Sequence, residues 1–141
     1  MAKARKRILT SRALGIQAAR LAAERHCTDV VMLDLRGISP VTDYFVIASG
    51  TSDRQMRAVA EEIADAAAKC GWRPLNKAGL ISARWILMDF VDVVVHLFDE
   101  THRKFYDLEL IWGDGPRVRW QKRVRAGEKR KDQEDDDGPS Q

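Results

Sequence analysis

A chain of 141 residues with 45% hydrophobic and 32% charged side chains describes one globular domain with length left over for flexible ends. No run approaches the roughly 20 consecutive apolar residues of a membrane span, and Met1-Ala-Lys-Ala-Arg-Lys-Arg7 has no apolar h-region of a secretory signal, so a cytoplasmic protein without a membrane association is expected. Cys27 and Cys70 are the only cysteines and form no C-x-x-C pair. That speaks against a disulfide framework or a cysteine-built zinc site and for two core thiols.

The net charge of +3 is unevenly spread: residues 1–12 carry +5 with no acid, residues 121–141 carry six basic and six acidic side chains, and the body between them is at about −2. A basic arm over residues 1–10 could touch phosphate, or be a solvated terminus. Taken in order, Leu14, Ala18, Leu21 and Ala22 fall at helical spacing and predict a helix over Ser11–Arg25. Val30-Val31-Met32-Leu33, apolar on both faces, predicts a central strand over Asp29–Leu35. Gly37, Ser39 and Pro40 break the chain before a second strand at Tyr44–Ala48, rich in aromatic and β-branched residues.

Ser52 and Gln55 then form an S-x-x-Q capping box with Asp53 favourably placed against the helix dipole. The helix it opens has the apolar face Met56, Val59, Ala60, Ile63, Ala64 and Ala67, with Gly71 as its stop. After a loop over Pro74–Gly79, with a possible short strand near Arg73, segments 84–89 and 92–98 predict a hairpin turning at Phe90-Val91. Period-two alternation puts Trp85, Leu87 and Asp89 on one face, and Asp92, Val94 and His96 on one face. Thr101 caps a last short helix whose Phe105, Leu108 and Trp112 share a side before Gly113 ends it. From Gln121 on, almost nothing is apolar, and a disordered charged tail is expected over residues 121–141. The fold class is α/β (α+β): one domain over residues 11–120 with a mixed sheet and flanking helices.

Three places could carry chemistry. Gly50-Thr51-Ser52, between strand and helix, could hold a phosphate on free N–H groups or simply turn the chain and cap the helix. A two-metal nucleotidyltransferase also needs two close carboxylates, and no D-x-D or D-x-E occurs between residues 53 and 88. Asp89, Asp92 and His96 could ligate a divalent ion or be ordinary turn and strand polar groups. There is no G-x-S-x-G elbow and no P-loop, so no catalytic residue, metal or cofactor is assigned. The third place is the mixture of Trp85, Phe90, Phe98, Phe105, Tyr106 and Trp112 with Asp89, Asp92, Asp99, Glu100, Asp107 and Glu109. Aromatics beside acids suit an interface with a basic protein. The competing reading makes the aromatics core, above all Phe98 and Phe105.

Thr42-Asp43-Tyr44-Phe45-Val46-Ile47-Ala48-Ser49-Gly50-Thr51-Ser52-Asp53-Arg54-Gln55, Arg84-Trp85, Asp92-Val93-Val94-Val95-His96 and Phe105-Tyr106-Asp107-Leu108-Glu109 with Trp112-Gly113-Asp114 together closely resemble the ribosomal silencing factors, or Iojap-like proteins, over about residues 12–116. The resemblance implies a mixed five-stranded sheet, nucleotidyltransferase-like in shape but without the catalytic carboxylates. It implies a non-enzymatic protein that binds the large ribosomal subunit through its fourteenth protein, blocks docking of the small subunit and lowers translation when nutrients are scarce. It places partner contacts on Trp85, Asp89, Asp92, His96, Tyr106, Leu108, Glu109 and Trp112, and allows a homodimer when no ribosome is present. One departure stands out: many family members have glycine where this chain has Val91, so a wider hairpin turn is expected. The alternatives are an RNA-binding ribosome-biogenesis factor using the N-terminal arm, and a nucleotide-binding enzyme.

Overall fold

The structure, a computed structural model, describes residues 9–108, 112 and 114–122. Eight elements follow one another: α1 (Ser11–Glu24), β1 (Thr28–Asp34), β2 (Tyr44–Gly50), α2 (Asp53–Lys69), β3 (Asn76–Ala78), β4 (Trp85–Asp89), β5 (Val93–Asp99) and α3 (Glu100–Tyr106). The five strands form one mixed sheet, as the resemblance implies, in the order β1-β2-β5-β4-β3. Only β2 and β5 run parallel; the other pairs are antiparallel.

Both long helices lie on one face of the sheet. From α1 come Leu14, Ala18, Ala19 and Ala22, and from α2 come Met56, Val59, Ala60, Ile63 and Ala67, packed with Met32, Val46, Ala48, Ile86, Met88, Val95 and Leu97. The apolar stripe of α2 is thus where its periodicity predicts it, and Gly71 follows its end at φ 86°. Cys27 belongs to this core, where burial pushes its thiol up to about 11, and the half-buried Cys70 packs against it. The start of α2 departs from a standard capping box. Ser52 Oγ accepts the Gln55 N–H at 3.1 Å, but Gln55 Oε1 takes the N–H of Thr51 at 2.6 Å while its amide donates to the Arg25 carbonyl at 2.7 Å. The Gln55 side chain therefore ties the end of α1 to the start of α2.

Strand β2 is buried along its whole length, because its alternate residues enter two different cores. The second core holds Leu33, Leu35, Phe45, Ile47 and Phe98, with Val31, Trp85, Val94, Leu108 and Trp112 against it. Among the described residues no long helix covers this face; α3, Leu108 and Trp112 do. Here the structure corrects three expectations. The cap of α3 is Asp99, which accepts the His102 N–H at 2.7 Å, not Thr101. The helix is only seven residues long and ends at Asp107, whose left-handed φ of 42° turns Leu108 and Trp112 out of helical phase with Phe105. Phe105 is consequently 76% exposed rather than core, whereas Phe98 is buried as expected. The short strand near Arg73 lies three residues later, at Asn76–Ala78.

The ends of the described chain are tied to the body. Leu9 accepts the Trp72 Nε1–H through its carbonyl at 2.9 Å, and Thr10 caps α1. After Gly115 the chain runs antiparallel along the outer edge of β1: Asp34 N–H donates to Pro116, Val118 N–H donates to Met32, both at 2.8 Å, and Arg117 bridges Leu33. With the Trp120 Nε1–H on the Val30 carbonyl at 3.2 Å, this strap pairs an edge that would otherwise present unpaired donors and acceptors.

At the opposite side, Gly79 has φ +80°, and a Cβ there would lie 1.9 Å from the Trp85 carbonyl oxygen. Gly37 has a similar φ of +82° with nothing within 4 Å. Gly37→Ala should cost only the left-handed backbone term of about 1 kcal/mol, and Gly79→Ala clearly more, because the β3–β4 contact must also open. Urea denaturation of the two variants measures the difference; equal losses would contradict the close approach.

Candidate functional site

Of the residues that carry the family resemblance, Phe45, Ile47, Trp85, Val94, Leu108 and Trp112 lie on the face opposite α1 and α2, while Tyr44, Val46, Ala48, Val93 and Val95 belong to the helix-side core. Pairing of β4 with β5 sets Trp85 opposite Phe98, Leu87 opposite His96 and Asp89 opposite Val94, so these side chains share the face. Trp85 stacks on Phe98 at 5.0 Å and meets Tyr106 at a tilt of 44° at 4.5 Å between ring centroids. Tyr106 in turn meets Phe105 edge-on at 5.1 Å. The result is a ladder of rings that begins at buried Phe98 and ends at exposed Phe105. Tyr106 is 40% exposed and Trp85 half-buried.

His96 supports this ladder from beneath. Its Nδ1 accepts the Trp85 Nε1–H at 3.1 Å, and Phe45 meets its ring edge-on at 4.5 Å. Burial drives its basicity down to about 3, so at neutral pH the imidazole is uncharged. Since Nδ1 accepts, the proton sits on Nε2, which has no partner among the described residues. Being 4% exposed, His96 orients Trp85 and presents nothing to solvent.

The acids are placed by the hairpin turn. Val91 has φ 76°, a conformation that glycine adopts far more readily than a β-branched residue. The turn is held by Asp92 N–H on the Phe90 carbonyl at 3.0 Å, Phe90 N–H on the Val93 carbonyl at 2.8 Å, and Val91 N–H on Asp89 Oδ1 at 2.8 Å. The positive φ thus falls at the position where the resemblance leads one to expect glycine. Asp89 is half-buried at the turn end of β4, with one carboxylate oxygen engaged by the turn. Asp92 precedes β5, and its carbonyl accepts from the N–H groups of Asp43 and Tyr44, which locks the turn to the start of β2.

Leu108 and Trp112 are half-buried against the second core, Trp112 meeting Phe45 edge-on at 5.9 Å. Glu109, the remaining expected contact, lies outside the described residues. At the other end of α3 the His102 ring also reaches Asp99 at 2.9 Å. Partial burial pushes the Asp99 carboxyl up, but the hydrogen bonds from His102 and the charge of Arg84 outweigh it and hold the carboxyl below its ordinary value. Phe105 was hidden from sequence reasoning by the assumed length of α3.

The other two candidate chemistries find no assembled site. At Gly50-Thr51-Ser52 the N–H of Thr51 is taken by Gln55 and the Ser52 hydroxyl by the cap, while a Cβ on Gly50 would strike Met56 Cγ at 2.1 Å; the junction serves helix packing. Among the described residues no three His, Cys, Asp or Glu side chains are grouped to hold a metal ion. Nor is any helix among them long and apolar enough to cross a membrane.

The depressed basicity of His96 has a sign that can be measured. Above pH 6.5 neither folded nor unfolded imidazole binds a proton; between pH 6.5 and about 3 only the unfolded one does, so stability falls as pH falls through that window. From pH 7.5 to 5 the loss attributable to His96 should be about 2 kcal/mol, ahead of the carboxylate region. Urea midpoints of wild type and His96→Gln at the two pH values test this: the variant should lose that part of the slope, and identical slopes would contradict a buried neutral imidazole.

A model of the family described as "Ribosomal silencing factor during starvation" matches residues 9–141. Among curated relatives, the ribosomal silencing factor of Bacillus subtilis is 44% identical over 99 residues, covering 70% of this chain and 84% of its own length. That of Halalkalibacterium halodurans is 40% identical over 95 residues, covering 67% and 81%. The chloroplastic protein Iojap of Arabidopsis thaliana is 31% identical over 108 residues, covering 77% of this chain and 45% of its own. Of solved structures, one from Chromobacterium violaceum superposes with a TM-score of 0.71 at 26% identity, covering 84% of this chain and 93% of the other. Another, from Bacillus halodurans, gives 0.64 at 35% identity, covering 77% and 95%. Sequence motifs, sheet order and relatives agree, and the chain belongs to the ribosomal silencing factor family.

Proposed function

We propose that this protein binds the large ribosomal subunit through its fourteenth protein, at the face where the small subunit docks, and so represses translation by occupying that space when nutrients are scarce. The observation that carries the reading is the ring ladder Trp85–Tyr106–Phe105, half-buried at Trp85 and 76% exposed at Phe105, with Asp99 and Glu100 where β5 passes into α3 and Asp89 and Asp92 at the hairpin turn. Rigid aromatic anchors on elements that also carry acidic side chains match the chemistry of a binding surface for a basic protein. Trp85, Tyr106 and Phe105 are the anchors in this reading. Asp89, Asp92 and Glu109 supply charge, while His96, Leu108 and Trp112 hold the surface in shape from behind. No turnover is involved, since occlusion by a bound domain is sufficient, and the protein acts in the cytoplasm without catalysis or cofactor. In the absence of ribosomes, two copies cover the same exposed rings against each other; light scattering that finds only monomer at high micromolar concentration would contradict that part.

The direct test is affinity for the purified fourteenth protein of the large subunit. Trp85→Ala should weaken binding by about 2 kcal/mol, and Phe105→Ala by about 1 kcal/mol. Phe105 is 76% exposed, so its variant separates binding from folding. If both variants keep the wild-type circular dichroism spectrum and bind with unchanged affinity, the ladder is not the interface.

A further inference from the structure

The acidic body has one basic region that the ring ladder does not use. Beside α3, at the end of the sheet where β1 begins, lies a cleft of about 660 Å³ lined by Asp29, Val31, Arg103, Lys104, Asp107 and Arg117. Arg103 is fixed there, because one guanidinium nitrogen donates to Ser49 Oγ at 2.9 Å and Ser49 is 2% exposed. Three cations against two carboxylates make the cleft only slightly positive by itself, but the strap extends it. Val118 is buried and Trp120 half-buried against the helical core, so the exposed Arg117 and Arg119, which alternate with them, point the other way. Lys104, Arg117 and Arg119 have no ion-pair partner among the described residues. In sequence, Arg117, Arg119, Lys122, Arg123 and Arg125 follow one another with no acid between Gly115 and Gly127.

We propose that the cleft between α3 and the strap, continued outward along Arg117 and Arg119, binds the phosphate backbone of RNA. Alternate residues of an extended strand are about 7 Å apart, comparable with the spacing of successive phosphates along a nucleic-acid strand. Trp120, which follows Arg119 in the strap, is turned into the core and hydrogen-bonded to Val30. The strap therefore offers no stacking platform of its own, and its contact is with phosphates and indifferent to base sequence. Arg103, Lys104 and Asp107 lie on or directly after the α3 that carries Phe105 and Tyr106. A chain docked on a ribosomal protein through the rings would therefore bring the ridge close to neighbouring ribosomal RNA. That placement rests on the proposed function; the RNA contact itself does not.

The experiment is fluorescence anisotropy of the full chain with a short labelled RNA of mixed sequence across a salt series. A second probe is anionic vesicles of phosphatidylserine and phosphatidylcholine. The triple variant Lys104→Glu/Arg117→Glu/Arg119→Glu should bind RNA at least about tenfold more weakly, with a salt slope reduced by about 2. The milder Lys104→Gln/Arg119→Gln variant, which alters no described hydrogen bond, should lose about threefold and guards against misfolding. Removal of residues 1–8 should leave most of the affinity. The proposal is overturned if the substituted chains bind RNA as wild type does, if loss of residues 1–8 alone abolishes binding, or if the vesicles and not RNA show the variant-dependent loss. Because no ribosome is present, this outcome is independent of Trp85→Ala and its effect on the ribosomal protein.

Discussion

A sheet that is apolar on both faces must be covered on both, and among the described residues only two long helices are available to cover one. Residues 9–108 spend α1 and α2 on the same side, leaving Phe45, Ile47, Val94, His96 and Phe98 of the other face to be shielded by the seven-residue α3 together with Leu108 and Trp112. So short a helix has little stability of its own. It is held by a carboxylate cap, by Tyr106 packed against Trp85, and by Leu108 and Trp112 packed beyond the left-handed Asp107. Thin cover leaves rings partly open to water. The same shortage of helix that makes this the weaker side of the molecule makes it the side with aromatic surface to offer a partner.

What could be read from the sequence follows from how local each signal is. Helix α2 was legible because its period, its cap and its stop lie within one stretch, and β2 because aromatic and β-branched residues crowd into seven positions. The two-sided burial of the sheet followed from Val30–Leu33 and Tyr44–Ala48 being apolar at every position. The end of α3 was not legible: its termination depends on a left-handed aspartate, and its persistence on contacts with β4 that no local pattern records. Strand β3 was expected near Arg73 and lies at Asn76–Ala78; all three of its residues are exposed, so no alternation fixes its position. The hairpin turn was expected to be wider than glycine would allow. Instead the chain places Val91 at positive φ and lets the Asp89 carboxylate brace it.

The site residues divide along the same line. Motif resemblance brought Trp85, His96 and Tyr106 to one surface, and the pairing register explains why: β4 and β5 set Trp85 where its indole N–H meets the imidazole. Roles were less legible than positions, since only burial distinguishes His96, which aims the indole, from Trp85, which faces outward. Phe105 was assigned to the core by its spacing and is the most exposed ring of the ladder. Charge follows a similar logic. The basic strap was masked in sequence by the acidic tail beyond it, and emerges only when the pairing of residues 116–118 with β1 shows which side chains face out.

Occlusion of the joining face by this domain is tested most directly by sedimentation of separated large and small ribosomal subunits in the presence of the purified protein. The protein should travel with the large subunit, and the peak of joined ribosomes should be lost as its concentration rises. A full peak of joined ribosomes, with the protein left at the top of the gradient, would contradict it.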